Sequence, residues 1–157
     1  MVAIFSSPDC KFSVVAIDPD GWCMFVAAAK GLDTDWRALV REMKAFAREY
    51  FKSDDNAALL DDPQEARQLW NQLDPRRETT VQAFWSSDAA DLLIPMLAQH
   101  LNIVDGRTVQ FRVWMIGEKG ALEMTKLVYP EGVTSEFKKV VHLLKTNQVV
   151  QHYDLLL

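Results

Sequence analysis

The sequence has 157 residues, 49% of them hydrophobic, and its 17 basic and 22 acidic side chains give a formal net charge of −5. That length supports one sizeable core but not two ordinary domains, so residues 1–157 are expected to form a single domain. The acidic balance argues against a nucleic-acid partner, because phosphate contacts need clustered Lys and Arg, and no apolar run is long enough for a membrane span.

The cysteine count and the N-terminus bear on location. Only Cys10 and Cys23 occur, and the opening segment lacks the basic region of a secretory leader. The expected location is therefore the cytoplasm, or the host cytosol if the source is a virus or a secreted effector. A disulfide between Cys10 and Cys23 is the open alternative.

The first predicted helix follows a turn. Pro19-Asp20-Gly21 has turn chemistry, since Pro fixes φ and Gly accepts a positive φ. The run CMFVAAAK that follows favours a helix, and Gly31 can end it. Cys23 then lies in the first turn of a helix.

The remaining elements divide into helices and then strands. Apolar periodicity predicts helices at 36–51, 64–73 and about 88–101, and Pro95 in the last of these predicts a kink or a late start. Richness in β-branched and aromatic residues predicts strands at 108–116, 122–129, 139–144 and 149–157. This order predicts an α+β fold with a small, mostly antiparallel sheet packed between helices.

Cys23 has two interpretations on this evidence. Reduced cysteine is among the most buried residue types, so Cys23 can be a core filler. Alternatively, the amides and dipole at a helix N-terminus favour a thiolate and can hold an oxyanion, which would make Cys23 a nucleophile. The second interpretation requires a base.

Among the three histidines, His152 is the candidate base. His100 lies in the last turn of a predicted helix and His142 within an apolar strand, and structural roles are sufficient for both. In VVQHYDLLL the strand period of two places His152 and Asp154 on one face, with Tyr153 on the other, in the core. The Asp154 carboxylate can then accept the Nδ1 proton of His152 and support the imidazolium. The alternative is a surface charge pair that contributes little stability.

Taken together, DGWC near the start and HYD at the end resemble the ovarian-tumour (OTU) family of cysteine proteases, whose usual pattern is Asp-Gly-Asn-Cys-(Leu/Phe)-Phe with a late His-aromatic-(Asp/Asn). The stretch FWSSDAADLLIPMLAQHLNI is similar to the family's Trp-Gly segment, which runs into a helix and then a strand. Trp22 stands where the family usually has Asn, and Ser86 stands where it has Gly after Trp85. The similarity in order covers nearly the whole chain.

The resemblance implies a papain-like OTU fold and a deubiquitinase activity. Such an enzyme hydrolyses the bond at the C-terminal glycine of ubiquitin or a ubiquitin-like modifier. Cys23 would be the nucleophile, His152 the base and Asp154 the group that orients His152. No metal or other cofactor is implied, and we expect a monomer whose partner is ubiquitin or a ubiquitin-like protein.

The resemblance also implies an oxyanion site in the loop before the nucleophile. Backbone N–H groups of Cys23 and of Asp20, Gly21 and Trp22 would form it, with Asp20 shaping the turn and Trp22, if exposed, walling the passage for a Gly-Gly tail. Two other functions stay open: a catalytically silent ubiquitin-binding module and a viral polyprotein-processing peptidase on the same fold.

Overall fold

The computed structural model of the chain describes ten stretches: 4–6, 11–17, 21–58, 62–77, 81, 84–85, 90, 92–103, 106–147 and 151–157. For residues 4–6, 11, 57, 147 and 151 it describes the backbone alone. Cys10, the partner in the alternative of a disulfide, the loop residue Asp20 and Ser86 all lie outside the described residues.

Two of the longer helices begin at an aspartate that caps them. The Asp35 side chain accepts a hydrogen bond from the Ala38 amide at the start of α2, and Asp62 caps the helix that opens with Pro63. The last helix starts late, so that Pro95 lies in its first turn, where proline is tolerated. In the described stretches the helices are α1 Cys23–Leu32, α2 Trp36–Tyr50, α3 Asp54–Ala57, α4 Pro63–Gln72 and α5 Leu93–Leu101.

The described strands form one six-stranded sheet in the order β1-β2-β6-β5-β3-β4. The pairing of β3 with β5 is parallel and the other described pairings are antiparallel, so the prediction of a mostly antiparallel sheet is confirmed. The strands are β1 Ile4–Ser6, β2 Lys11–Val15, β3 Val109–Ile116, β4 Leu122–Tyr129, β5 Lys139–Asn147 and β6 Gln151–Leu156.

The N-terminal strands correct one expectation. The sequence order predicted helices before strands, but β1 and β2 precede α1, and β2 pairs with β6 at the other end of the chain. Short strands of this kind carry few residues of periodic pattern, and their pairing is decided by partners far along the sequence.

The main core lies between the helices and one face of the sheet. Helix α1 packs on β5 and β6, and α5 packs on β3 and β4. The approach of α1 is close: a Cβ built on Gly31 would lie 2.8 Å from Val141 Cγ1 and 3.2 Å from Leu155 Cδ1. Alternate strand residues form a smaller apolar cluster on the other face: Phe12, Trp114, Leu122, Leu144 and Leu156.

Within the described stretches, no helix combines the length and apolar character that a bilayer crossing requires.

Candidate active site

His152 and Asp154 form a hydrogen-bonded pair on β6. His152 Nε2 lies 2.8 Å from Asp154 Oδ1, and the two side chains are 12% and 16% exposed. Tyr153 between them is only 4% exposed and belongs to the main core, so the alternation of faces follows the predicted pattern.

The pair uses a different ring nitrogen from the one expected. The sequence interpretation assigned the Asp154 contact to Nδ1, whereas the structure assigns it to Nε2. With an ionised Asp154, which only accepts hydrogen bonds, Nε2–H is the donor of this pair. In the neutral ring Nδ1 is then the nitrogen with a lone pair that can take a proton. Nδ1 is buried and has no hydrogen-bond partner among the described residues.

Asp154 also holds the chain that leads to Cys23. Its Oδ1 accepts a 2.8 Å hydrogen bond from the backbone N–H of Ile17. Strand β2 pairs with β6 through Val14 and Val15. Two residues after Val15, the N–H of Ile17 donates to the side chain of Asp154. One carboxylate oxygen therefore contacts both His152 and the start of the segment 17–22 that leads to Cys23. No residue pattern in the sequence indicated this role for Ile17.

Cys23 is the first residue of α1, as predicted. Trp22 is the N-cap: its carbonyl accepts from the Val26 amide at 2.9 Å, and its side chain makes no cap hydrogen bond. Cys23 carries a reduced thiol and is only 3% exposed. Because His152 Nδ1 is without a partner in the described stretches, the Cys23 thiol does not hydrogen-bond to it in this conformation.

Trp22 does not wall an open passage. It is 4% exposed and packs in the main core, with its ring centroid 6.0 Å from that of Phe25 and 5.5 Å from that of Trp36. Trp22 was expected to wall the passage for a Gly-Gly tail only if it was exposed. Because it is buried, its side chain anchors the N-terminus of α1 instead.

Trp85 connects the loop before Cys23 to the strand that carries His152. Its indole Nε1 donates to the Gly21 carbonyl at 2.5 Å, and its ring centroid lies 6.2 Å from that of Tyr153. Gly21 has a φ of +90°, and a Cβ there would lie 2.9 Å from Val81 Cγ1. The loop thus requires glycine at this position for both conformation and space.

Helix α1 packs on strand β6. Gly31, near the end of α1, contacts Leu155, near the end of β6. From Gly31 back to Cys23 is about 12 Å along a helix, and from Leu155 back to His152 is about 10 Å along a strand. Cys23 and His152 therefore lie on two elements that pack against each other.

The other two histidines have structural environments, as predicted. His142 Nδ1 accepts from the Trp114 indole at 3.0 Å, and burial, with the nearby Arg112 charge, lowers the pKa of His142 to about 4. His100 lies in the last turn of α5 with its ring 5.2 Å from that of Phe46. Among the residues that the structure describes, no cluster of three His, Cys, Asp or Glu side chains could bind a metal ion.

The fold was compared with known proteins. No protein-family model matches the sequence, and no curated protein matches it. The structure of the Hazara virus OTU bound to ubiquitin is similar to this chain, with a TM-score of 0.55 and 17% sequence identity over 99% of this chain and 94% of that one. The chain therefore has an OTU-like α/β fold.

Proposed function

We propose that the chain is a thiol-dependent deubiquitinase that hydrolyses the isopeptide or peptide bond at the C-terminal glycine of ubiquitin or a ubiquitin-like modifier. The observation that carries the proposal is the state of His152, whose Nε2 is held by Asp154 while its buried Nδ1 is left to act as a base. The OTU-like fold supports it, and the similar viral OTU was solved with ubiquitin bound.

The proposed reaction begins with the thiol of Cys23. His152 Nδ1 takes the thiol proton, and the sulfur attacks the carbonyl carbon of the C-terminal glycine. The tetrahedral oxyanion is held by backbone N–H groups at the start of α1 and in the preceding loop of Asp20, Gly21 and Trp22. Each such donor contributes roughly 3 kcal/mol in comparable sites.

Collapse of the tetrahedral species breaks the bond to the leaving amine. The imidazolium of His152 donates its Nδ1 proton to that amine, and a thioester remains on Cys23. A water then gives a proton to Nδ1, attacks the thioester and releases the ubiquitin carboxylate and the Cys23 thiol. Throughout, Asp154 keeps the Nε2–H end of the ring fixed.

A second candidate function is a catalytically silent ubiquitin-binding module on this fold. The specific observation that favours it is that Cys23 is buried, while His152 Nδ1 has no hydrogen-bond partner among the described residues. Substrate-free cysteine and serine hydrolases often have long catalytic contacts that shorten when substrate binds, so a chemical test decides between the two functions.

The test uses ubiquitin with an electrophile at its C-terminus and intact mass as the readout. We expect one covalent adduct on the native protein, an adduct on Cys10→Ala and none on Cys23→Ala, with melting temperatures showing that both variants are folded. A folded native protein that forms no adduct but binds ubiquitin supports the silent module. An adduct that survives Cys23→Ala removes Cys23 from the proposal.

A further inference from the structure

Thr146 lies directly across the sheet from His152. In the antiparallel pairing of β5 with β6, Thr146 is the partner of His152, and Leu144 is the partner of Asp154. Opposed residues project to the same face with Cβ atoms about 4.5–5.5 Å apart, which places the Thr146 hydroxyl within reach of the imidazole.

Both side chains have an unfilled hydrogen-bonding capacity. Thr146 Oγ1 and His152 Nδ1 are buried, and neither has a partner among the described residues. Buried polar atoms are normally paired, because an unpaired one loses its hydration without compensation. A hydroxyl is both donor and acceptor, so the two atoms together can hold a small polar molecule between them.

The proposed reaction supplies such a molecule. In the hydrolysis of the thioester, the attacking water must lie on the nitrogen that takes its proton, which is Nδ1 because Asp154 occupies Nε2. The diagonal neighbour of His152 on the same face of β5 is Leu144, which is apolar and cannot orient a water. Thr146 is the described polar side chain opposite the base.

We propose that Thr146 is a positioning residue for hydrolysis of the thioester, an inference that rests on the proposed function. Thr146 Oγ1 accepts one O–H of the water while the other O–H points to His152 Nδ1. The second O–H bond breaks and its proton goes to Nδ1 as the water oxygen forms a bond to the thioester carbon. The C–S bond then breaks, and the Cys23 sulfur leaves and recovers the proton from Nδ1.

The inference predicts that the two halves of the reaction respond differently to Thr146→Val. Valine keeps the β-branched shape and removes only the hydroxyl, so attack by Cys23 and release of the amine proceed as in the native protein. Hydrolysis of the thioester falls about 10- to 100-fold, the range expected when a reacting group loses its positioning partner. Thr146→Ser keeps the hydroxyl and is expected within about threefold of the native rate.

The experiment measures a rapid burst of amine release and then steady turnover of a ubiquitin C-terminal amide, with the thioester detected by intact mass. The expected result for Thr146→Val is a native burst, slow turnover and an accumulated thioester. Added hydroxylamine, a nucleophile that needs less activation than water, should bring its turnover close to that of the native protein. The variant should melt no lower than the native protein, because valine removes an unpaired buried hydroxyl.

Several outcomes would overturn the inference alone while Cys23 chemistry stands. These are native thioester hydrolysis in Thr146→Val, a burst slowed as much as turnover, or a Thr146→Ser as slow as Thr146→Val. If the native protein forms no adduct with electrophilic ubiquitin, the proposed function and the inference fail together.

Discussion

Asp154 is the most informative residue to substitute, because one of its carboxylate oxygens makes two contacts. Oδ1 accepts from the Ile17 amide at 2.8 Å and contacts His152 Nε2 at 2.8 Å. Asp154→Ala removes both contacts and leaves the N–H of a buried residue without its acceptor. Hydrogen bonds to charged groups contribute about 1.5–3 kcal/mol, so we expect Asp154→Ala to lose about 2 kcal/mol of stability.

Asp154→Asn separates charge from geometry. An asparagine in place of a catalytic aspartate usually costs activity, because its NH₂ can turn toward the histidine and enforce the wrong tautomer. Here the Ile17 N–H requires an acceptor, so it selects the rotamer with the amide oxygen on its own side, where that oxygen also meets His152 Nε2. We therefore expect Asp154→Asn to keep kcat/KM within about tenfold and Asp154→Ala to lose about a hundredfold or more.

The measurements are thermal melting and hydrolysis of a fluorogenic ubiquitin amide. For a chain of this size, 2 kcal/mol corresponds to a decrease in Tm of about 4–8 °C. Glu42→Ala, which removes an exposed carboxylate on α2, is the matched control and should change neither quantity. An unchanged Tm in Asp154→Ala would refute the tether to Ile17. Equal loss of activity in both Asp154 variants would refute the selection of the amide rotamer.

Three further predictions concern neighbouring parts of the molecule. Trp85→Phe keeps the ring contact with Tyr153 but removes the donor to the Gly21 carbonyl; it should cost about 1 kcal/mol in a denaturant titration and slow labelling by electrophilic ubiquitin. Trp22→Asn matches the usual OTU pattern but empties a core position, and should cost about 3–5 kcal/mol in the same titration. The pKa of His142 is lowered by burial from 6.5 to about 4, so below pH 6.5 the unfolded chain binds a proton that the folded chain refuses. Stability should therefore fall between pH 6.5 and pH 4 by about 1–2 kcal/mol, after allowance for solvent screening, and His142→Asn should flatten that slope in melts across the range.

Elements that depend on local pattern were predictable from the sequence. The helix at 36–51 was expected from apolar spacing and is found at Trp36–Tyr50, and the strand at 122–129 is found with the same bounds. Cys23 was expected in a first helical turn because a Pro-Asp-Gly turn precedes a run of good helix formers, and it is the first residue of α1. Each of these depends on residues within a few positions of one another.

Features that depend on distant partners were missed. Strand β5 was predicted to end at Leu144 but continues to Asn147, because its polar last residues pair with the start of β6. A polar Lys-Thr-Asn end looks like a loop in sequence, and its pairing with His152 and its neighbours is visible only in the fold. The burial of Trp22 likewise involves a ring contact with Trp36, which lies one helix further along the chain.

The sequence could not predict which ring nitrogen of His152 the Asp154 carboxylate contacts. A His-x-Asp pattern on a strand predicts that the two side chains meet, but not which edge of the imidazole the carboxylate contacts. That depends on where the carboxylate is held, and the Ile17 amide holds it from the β2 side. The orientation of the His152 ring consequently depends on a residue just beyond the end of β2.

The hydrogen bond from Ile17 to Asp154 also couples the sheet to the loop before Cys23. After Val15 pairs with Leu155, the carboxylate of Asp154 takes the Ile17 N–H, and the chain departs from the sheet toward α1. The loop can leave there without an unpaired buried amide because the acceptor is a side chain, which does not require the chain to continue as a strand. A mutation that moves this departure point would therefore shift both the chain that leads to Cys23 and the carboxylate that contacts His152, although neither Cys23 nor His152 had been changed.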